Sequence, residues 1–481
     1  MRKGLLPPVL VFVAVLVTGC GAGSAAVSAR GGGSIPAGAD KVSADVPVFV
    51  TLDSSFGGQW DALQALLDKF PSSGQLTAKI EKSLASSGID YEKDVAGTIG
   101  PELDVAIFDL QDAGAKAVFL TQPKDRAGFE AALKKASKPP VVRKEGDWVL
   151  FAEDQATLDA YDKLGTATLS SDGDFKDAFD SIDGEALARV YADGPSLQKK
   201  LPSSVPQGTP SARWVAAAAA ARDDGLLIDA YLKTDSGQAE NFDSSLLDKV
   251  PAGAFLALAF DGKSFGLEKQ FDALRKSPGI GGKIGQFETF TGIDLADLVA
   301  ILDGQGVLYA RAGAPIPEVT LLVKDIDVDR AVQTVDAIAT KLTKAAAQPE
   351  PQPVTIDGVG MRRVTVQGIA LTYGKVDGML VVTTGANTVQ DLRAGGSGLT
   401  DSDEFKSAQH AAGISGDIAG LLYADVPDLV SMYTLLSQLT GAVPKLPSHT
   451  AENAQHLRSI LLTSHADDEN TVHAVAFVHV Q

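Results

Sequence analysis

Gly262-Lys263-Ser264-Phe265-Gly266 is the stretch of this chain whose residue types and spacing come nearest to catalytic equipment. It fits G-x-S-x-G, the turn that lifts a serine hydroxyl between a strand and a helix toward a histidine base. A strand-like run precedes it and a helical run follows. All six histidines (His410, His449, His456, His465, His473 and His479) lie downstream, so the Ser-before-His order is met. A serine hydrolase at Ser264 is therefore one reading. The competing reading is structural. Asp53-Ser54-Ser55-Phe56-Gly57 occupies a matching place earlier in the chain, and a serine there serves to cap the next helix. The central parallel sheet that surrounds such a nucleophile is also not expected. Gly262-Lys263-Ser264 matches the end of a phosphate loop, but Ala257 stands where its first glycine is required.

Metal chemistry is thinly supported. His465 and His473 flank a terminal hairpin turn. Paired directly across, their rings share a face and could bind zinc with a third ligand; a slip of one residue puts them on opposite faces. Asp172-Gly173-Asp174 and Asp467-Asp468-Glu469-Asn470 are dense in carboxylates, yet neither has the spacing of a calcium loop. Aspartate also favours turns through its own local hydrogen bonds. Trp60, Trp148 and Trp214 could line a groove, although their apolar surroundings point to packing. The sequence thus predicts no catalytic residues, no metal and no cofactor, and the chain reads as a non-enzyme.

Cys20 carries a different chemistry. It is the single cysteine and closes Val17-Thr18-Gly19-Cys20 after Arg2, Lys3 and an apolar run from Leu5 to Val17. That order is a secretory signal peptide over residues 1–19, too short to span a bilayer. A cysteine directly after the small residues is the lipoprotein variant, whose thiol receives diacylglycerol. Lipidation at Cys20 places the protein on the cell membrane, on its extracytoplasmic face. A formal net charge of −19, or −21 without Arg2 and Lys3, repels nucleic acid and anionic headgroups. Attachment must then come from acyl chains, two of which hold stably.

The elements that would position these groups are written twice. Residues 20–44, rich in Gly, Ala and Ser, read as a lipidated flexible tether. Val46-Pro47…Asp53 then matches Val250-Pro251…Asp261. Gly88-Ile89-Asp90 matches Gly292-Ile293-Asp294, Asp174-Phe175-Lys176 matches Glu404-Phe405-Lys406, and Tyr191-Ala192-Asp193 matches Tyr423-Ala424-Asp425. Two homologous repeats are expected, at 45–236 and 250–481, with a linker over 237–249. The second is longer, chiefly through Ala345–Pro353 and Gly441–Ala451, read as loops. Leu63, Leu66, Leu67 and Phe70 form one helical face closed by Pro71, and Val332, Val335, Ile338 and Leu342 form another. Strand pairs with short turns, such as Val141–Arg143 with Trp148–Ala152, pair antiparallel. The fold class is α+β, with helices covering a largely antiparallel sheet in each repeat.

The opening Val-Pro…Phe-Val-Thr-Leu-Asp, with Gln59-Trp60, Gly88-Ile89-Asp90-Tyr91-Glu92-Lys93-Asp94-Val95 and Gly100-Pro101-Glu102-Leu103, resembles an uncharacterised family of bacterial exported proteins, a domain of unknown function. The likeness is best over Val46–Phe108. It implies an envelope location and brings no catalytic residues. The expected partners are the membrane, through the lipid on Cys20, and an envelope protein or a small or lipidic ligand. The expected role is non-catalytic binding or scaffolding.

Overall fold

The computed structural model describes residues 35–55, 58–71, 90–110, 116–136, 138–182, 184–200, 212–235, 240–277, 280–313, 316–366, 368–413, 416–440 and 444–481. Cys20, the signal peptide and most of the tether lie outside these residues.

Eighteen strands among the described residues form one antiparallel sheet. The first series is β1 (Val48–Asp53), β2 (Glu102–Asp109), β3 (Lys116–Thr121), β4 (Val141–Glu145), β5 (Trp148–Ala152), β6 (Ala188–Asp193), β7 (Ala212–Arg222) and β8 (Gly225–Thr234). The second is β9 (Ala254–Asp261), β10 (Gln305–Arg311), β11 (Glu318–Lys324), β12 (Gln352–Ile356), β13 (Val359–Val366), β14 (Ile369–Val376), β15 (Met379–Thr383), β16 (Gly420–Asp425), β17 (Leu457–Asp468) and β18 (Thr471–Val480). The first series pairs in the order β4-β5-β3-β2-β1-β6-β7-β8. The second pairs as β14-β15-β11-β10-β9-β16-β17-β18, with the hairpin β12–β13 added at its outer edge. The two inner edges meet: Gly225–Lys233 of β8 pairs with Thr471–His479 of β18.

Register gives each position a counterpart. Phe49 faces Ala106 and Tyr191, and Ala257 faces Tyr309 and Tyr423. Phe175 meets Tyr191 edge-on at 5.0 Å, and Phe405 meets Tyr423 edge-on at 5.1 Å. Alternate residues of a strand share a face. Tyr231 belongs to the core of the first half and Leu227 packs on that of the second. Both are odd-numbered positions of β8, so the two main cores lie on one face of the sheet.

Two expectations about chain segments need correction. Residues 37–44, read as tether because they are small, are packed. Ala37–Asp40 forms a 3-10 turn, and Ala39 and Val42 are fully buried. Gly38 belongs there because of its size: a Cβ would lie 1.7 Å from Asp104 Oδ2. Likewise Ser244–Lys249 of the expected linker is a 3-10 turn that buries Leu246 and Leu247 in the second core. These turns are counterparts. Leu169 N donates to Val42 O at 2.9 Å and Leu399 N to Val250 O at 2.7 Å. Asp40-Lys41-Val42 therefore corresponds to Asp248-Lys249-Val250, and the two openings align without a gap.

Smaller differences follow from side-chain size. The added length near Ala345–Pro353 is largely the hairpin β12–β13. The helix Val328–Ala345 turns Val328, Ala331, Ala339 and Thr343 inward, and Leu342 is exposed. The helix Gln59–Asp68 buries Leu66, with Leu63 and Phe70 packed beside it, as its stripe predicts. The turn between β4 and β5 is Gly146-Asp147, with Gly146 at φ +61°. No described helix is long and apolar enough to cross a membrane.

Candidate functional site

The G-x-S-x-G turn is accounted for by backbone geometry. Asp261, rather than a serine, caps the short helix Gly262–Phe265 by accepting from Lys263 N at 3.0 Å. Asp53 does the same for Ser55 N at 2.9 Å. Gly262 is needed because a Cβ would lie 1.9 Å from Leu302 O, and Gly266 has φ +58°. The Ser264 hydroxyl is buried and makes no hydrogen bond. Among the described residues no histidine is therefore in place to activate it.

His465 and His473 do pair directly across the terminal hairpin and share a face. They are turned to different partners. His473 stacks on Tyr231 at 4.2 Å and hydrogen-bonds Asp229, both on β8, across the joint between the halves. His465 Nδ1 lies 3.0 Å from Asp417 O. Burial, and then the neighbouring His473, lower its pKa to about 3, so it is neutral at ordinary pH. Among the described residues, no three His, Cys, Asp or Glu side chains gather as metal ligands. His479 hydrogen-bonds Glu404, and the His456 ring lies against Phe70.

The carboxylate-dense turns are occupied by structural bonds. Asp172 caps the helix Gly173–Ser181, and Asp174 pairs with Arg213 at 2.7 Å. Asp468 accepts from Asn470 N at 2.7 Å and Thr471 Oγ1 at 2.8 Å. Trp148 and Trp214 are buried in the first core, and Trp60 Nε1 donates to Asp53 O.

Two features that the sequence did not suggest are open in the second half. The first is a cleft of about 280 Å³ on the core face, lined by Lys249, Val250, Tyr309, Arg311, Leu392 and Gly395 among others. Arg311 Nε lies 2.6 Å from Glu318 and its Nη2 lies 2.7 Å from Asp391. Tyr309 is buried, which raises its pKa. The second is on the opposite face. Leu462, Leu422, Leu258 and Leu308 stand in direct register across β17, β16, β9 and β10. Leu258 is 38% and Leu462 37% exposed. Adjacent strands are about 4.8 Å apart, so the row runs for about 14 Å. A shallower depression of about 260 Å³ lies between Ile293–Asp297 and Arg330–Lys341.

A third feature belongs to the first half. Asp104 is fully buried, with Glu102 and Thr51 beside its carboxyl group. Burial, then the neighbouring Glu102 carboxylate, push its pKa up to about 9. It is held as a neutral acid beneath Gly38, whose amide donates to Glu102 Oε1 at 3.1 Å. Its counterpart by register is Val307, and that of Gly38 is Leu246.

No curated protein matches the chain in sequence. Among solved structures, crystal forms III and IV of TP0453 are similar at 12% identity. They cover 44% and 41% of this chain and 84% and 83% of their own, with TM-scores of 0.25 and 0.24. Likeness at that level carries no inference about fold or activity. A family model matches residues 122–480, beyond the opening stretch where the resemblance is read as best. The chain belongs to that family, described as Protein of unknown function (DUF3352).

Proposed function

We propose that this chain is a lipid-anchored extracytoplasmic protein of the bacterial cell envelope, held to the membrane through Cys20. Its body is a non-catalytic binding or scaffolding component built from two copies of one α+β unit. The run Arg2-Lys3, Leu5–Val17 and Val17-Thr18-Gly19-Cys20 supports the anchor. The duplication is supported by the shared pairing order, by the matched Phe175–Tyr191 and Phe405–Tyr423 contacts, and by Asp40-Lys41-Val42 with Asp248-Lys249-Val250. On this reading the copies begin near Ala37 and Ser244.

One observation carries the binding role: the second half is open on both faces where counterpart positions in the first are filled. In-cell crosslinking followed by mass spectrometry, with Cys20 intact and with Cys20→Ser, tests it. Crosslinks concentrated on the second half, and lost with Cys20→Ser, are expected. A Cys20→Ser form that stays wholly on the membrane, or crosslinks falling chiefly on the first half, would sink the reading.

A small or lipidic ligand is the second reading, and the exposed Leu258 and Leu462 of the leucine row favour it. Burial of apolar surface at about 25 cal/mol per Å² makes such a row a docking place for a hydrocarbon chain. Leu258→Glu should then abolish binding of a fluorescent fatty acid. Unchanged binding would remove this alternative.

A further inference from the structure

The cleft of the second half stands where a tyrosine ring stands in the first. Leu150 faces Leu120 and Val381 faces Leu322, which makes β5 and β15 counterparts. Tyr161 and Leu392 each follow eleven residues later, in the helices Gln155–Tyr161 and Thr388–Ala394. In the first half the Tyr161 ring lies 5.7 Å from that of Phe108, and its hydroxyl donates to Lys41 O at 2.9 Å. In the second half Leu392 stops short, Arg311 replaces Phe108, and Lys249 replaces Lys41.

We propose that this cleft takes a phenol-bearing ligand whose ring occupies the place of the Tyr161 ring. Its hydroxyl donates to the Lys249 carbonyl as Tyr161 does to Lys41. The Arg311 guanidinium, positioned by Glu318 and Asp391, lies against the ring, and a guanidinium within about 6 Å of a ring centroid is attracted to its face. A free anion is disfavoured, because two carboxylates already offset Arg311 and Asp248 adjoins Lys249. A neutral hydrogen-bonding ring needs no net charge in the cleft. The inference rests on reading the second half as the binding half. If phenols fail while crosslinks still concentrate there, this inference alone falls.

The test is ¹⁹F NMR of 4-fluorophenol with the full chain. Line broadening is expected with the natural protein and at least about tenfold weaker binding with Leu392→Tyr, which supplies the missing ring; tenfold corresponds to about 1.4 kcal/mol. Should Leu392→Tyr fail to fold, competition on the natural protein decides: N-acetyltyrosinamide should displace the probe about tenfold better than N-acetylphenylalaninamide. Tighter binding of a Gly-Tyr-Gly peptide than of free p-cresol identifies a protein side chain as the source, and the reverse identifies a small phenol. No broadening, equal broadening with folded Leu392→Tyr, or equal displacement by the two amides would overturn the proposal.

Discussion

The two halves of the sheet share a frame and differ in what fills it. On the outer face, Val50, Val190, Val105 and Ala217 of the first half correspond to Leu258, Leu422, Leu308 and Leu462 of the second. Val50 is 2% and Val105 0% exposed, with Leu197 of the helix Gly194–Lys200 packed beside them, whereas Leu258 and Leu462 are exposed and Leu308 and Leu422 half-buried. On the core face Tyr161 fills the first half, and a cleft stands in the second. The positions conserved in geometry between the halves are aromatic pairs and backbone caps. The positions that differ are those next to the openings, so the frame supports both halves and the local fill decides which one is open.

The strongest test of the shared frame is to remove its matched aromatics. Phe175 and Phe405 are both fully buried and meet their tyrosines in the same edge-on geometry. Each replacement by Ala should cost about 3–5 kcal/mol. Chemical denaturation should find the two costs within about 1 kcal/mol of each other. A large cost at one and a small cost at the other would break the equivalence.

Next comes a pair that differs between the halves, Gly38 with Asp104 against Leu246 with Val307. Gly38→Leu drives a side chain into the Asp104 carboxyl, and overpacking of this kind costs about 1–3 kcal/mol. Asp104→Val alone leaves space beneath Gly38. The double variant recreates the second half's pair, so its cost should be smaller than the sum of the singles, a coupling readable from a double-mutant cycle. Strict additivity would show that the two sites are not counterparts in packing.

Asp104→Asn sharpens the same contrast with pH. The folded-state pKa of Asp104 is raised to about 9. The fold therefore holds a proton that the unfolded chain releases near pH 4. Its contribution is fully present below that pH and is lost as pH rises toward 9. Asn carries no such titration. From about pH 4 to pH 8 the variant should gain stability relative to the natural protein, by about 1.4 kcal/mol for each pH unit. A difference that does not change with pH would place the ionised carboxylate in the natural fold.

These pairs also show where the sequence was legible. Strand-like runs ending in Asp, the Phe and Tyr matches and the β4–β5 hairpin could be read because alternation and turn residues leave a local signature. Gly38, Ala39 and Val42 could not, since small residues look the same whether they are loose or are the only ones that fit against Asp104. Asp40-Lys41-Val42 and Asp248-Lys249-Val250 were the available signal, hidden by aligning the two Val-Pro pairs instead. The cleft was illegible for a further reason. A vacancy exists only relative to Tyr161, and that comparison needs the register of strands far apart in the chain.

The smallest expected effect is at Ser264. If Gly262 and Gly266 serve close approach and a left-handed turn, the serine between them is incidental, and its buried hydroxyl has no partner. Removing an unpartnered polar group is neutral or mildly stabilising, so Ser264→Ala should shift stability by less than about 1 kcal/mol. The natural protein should also resist labelling by a fluorophosphonate, which reacts only with an activated serine. Labelling abolished by Ser264→Ala would give the second half a nucleophile that nothing in the first half matches. The difference between the halves would then extend from packing to catalysis.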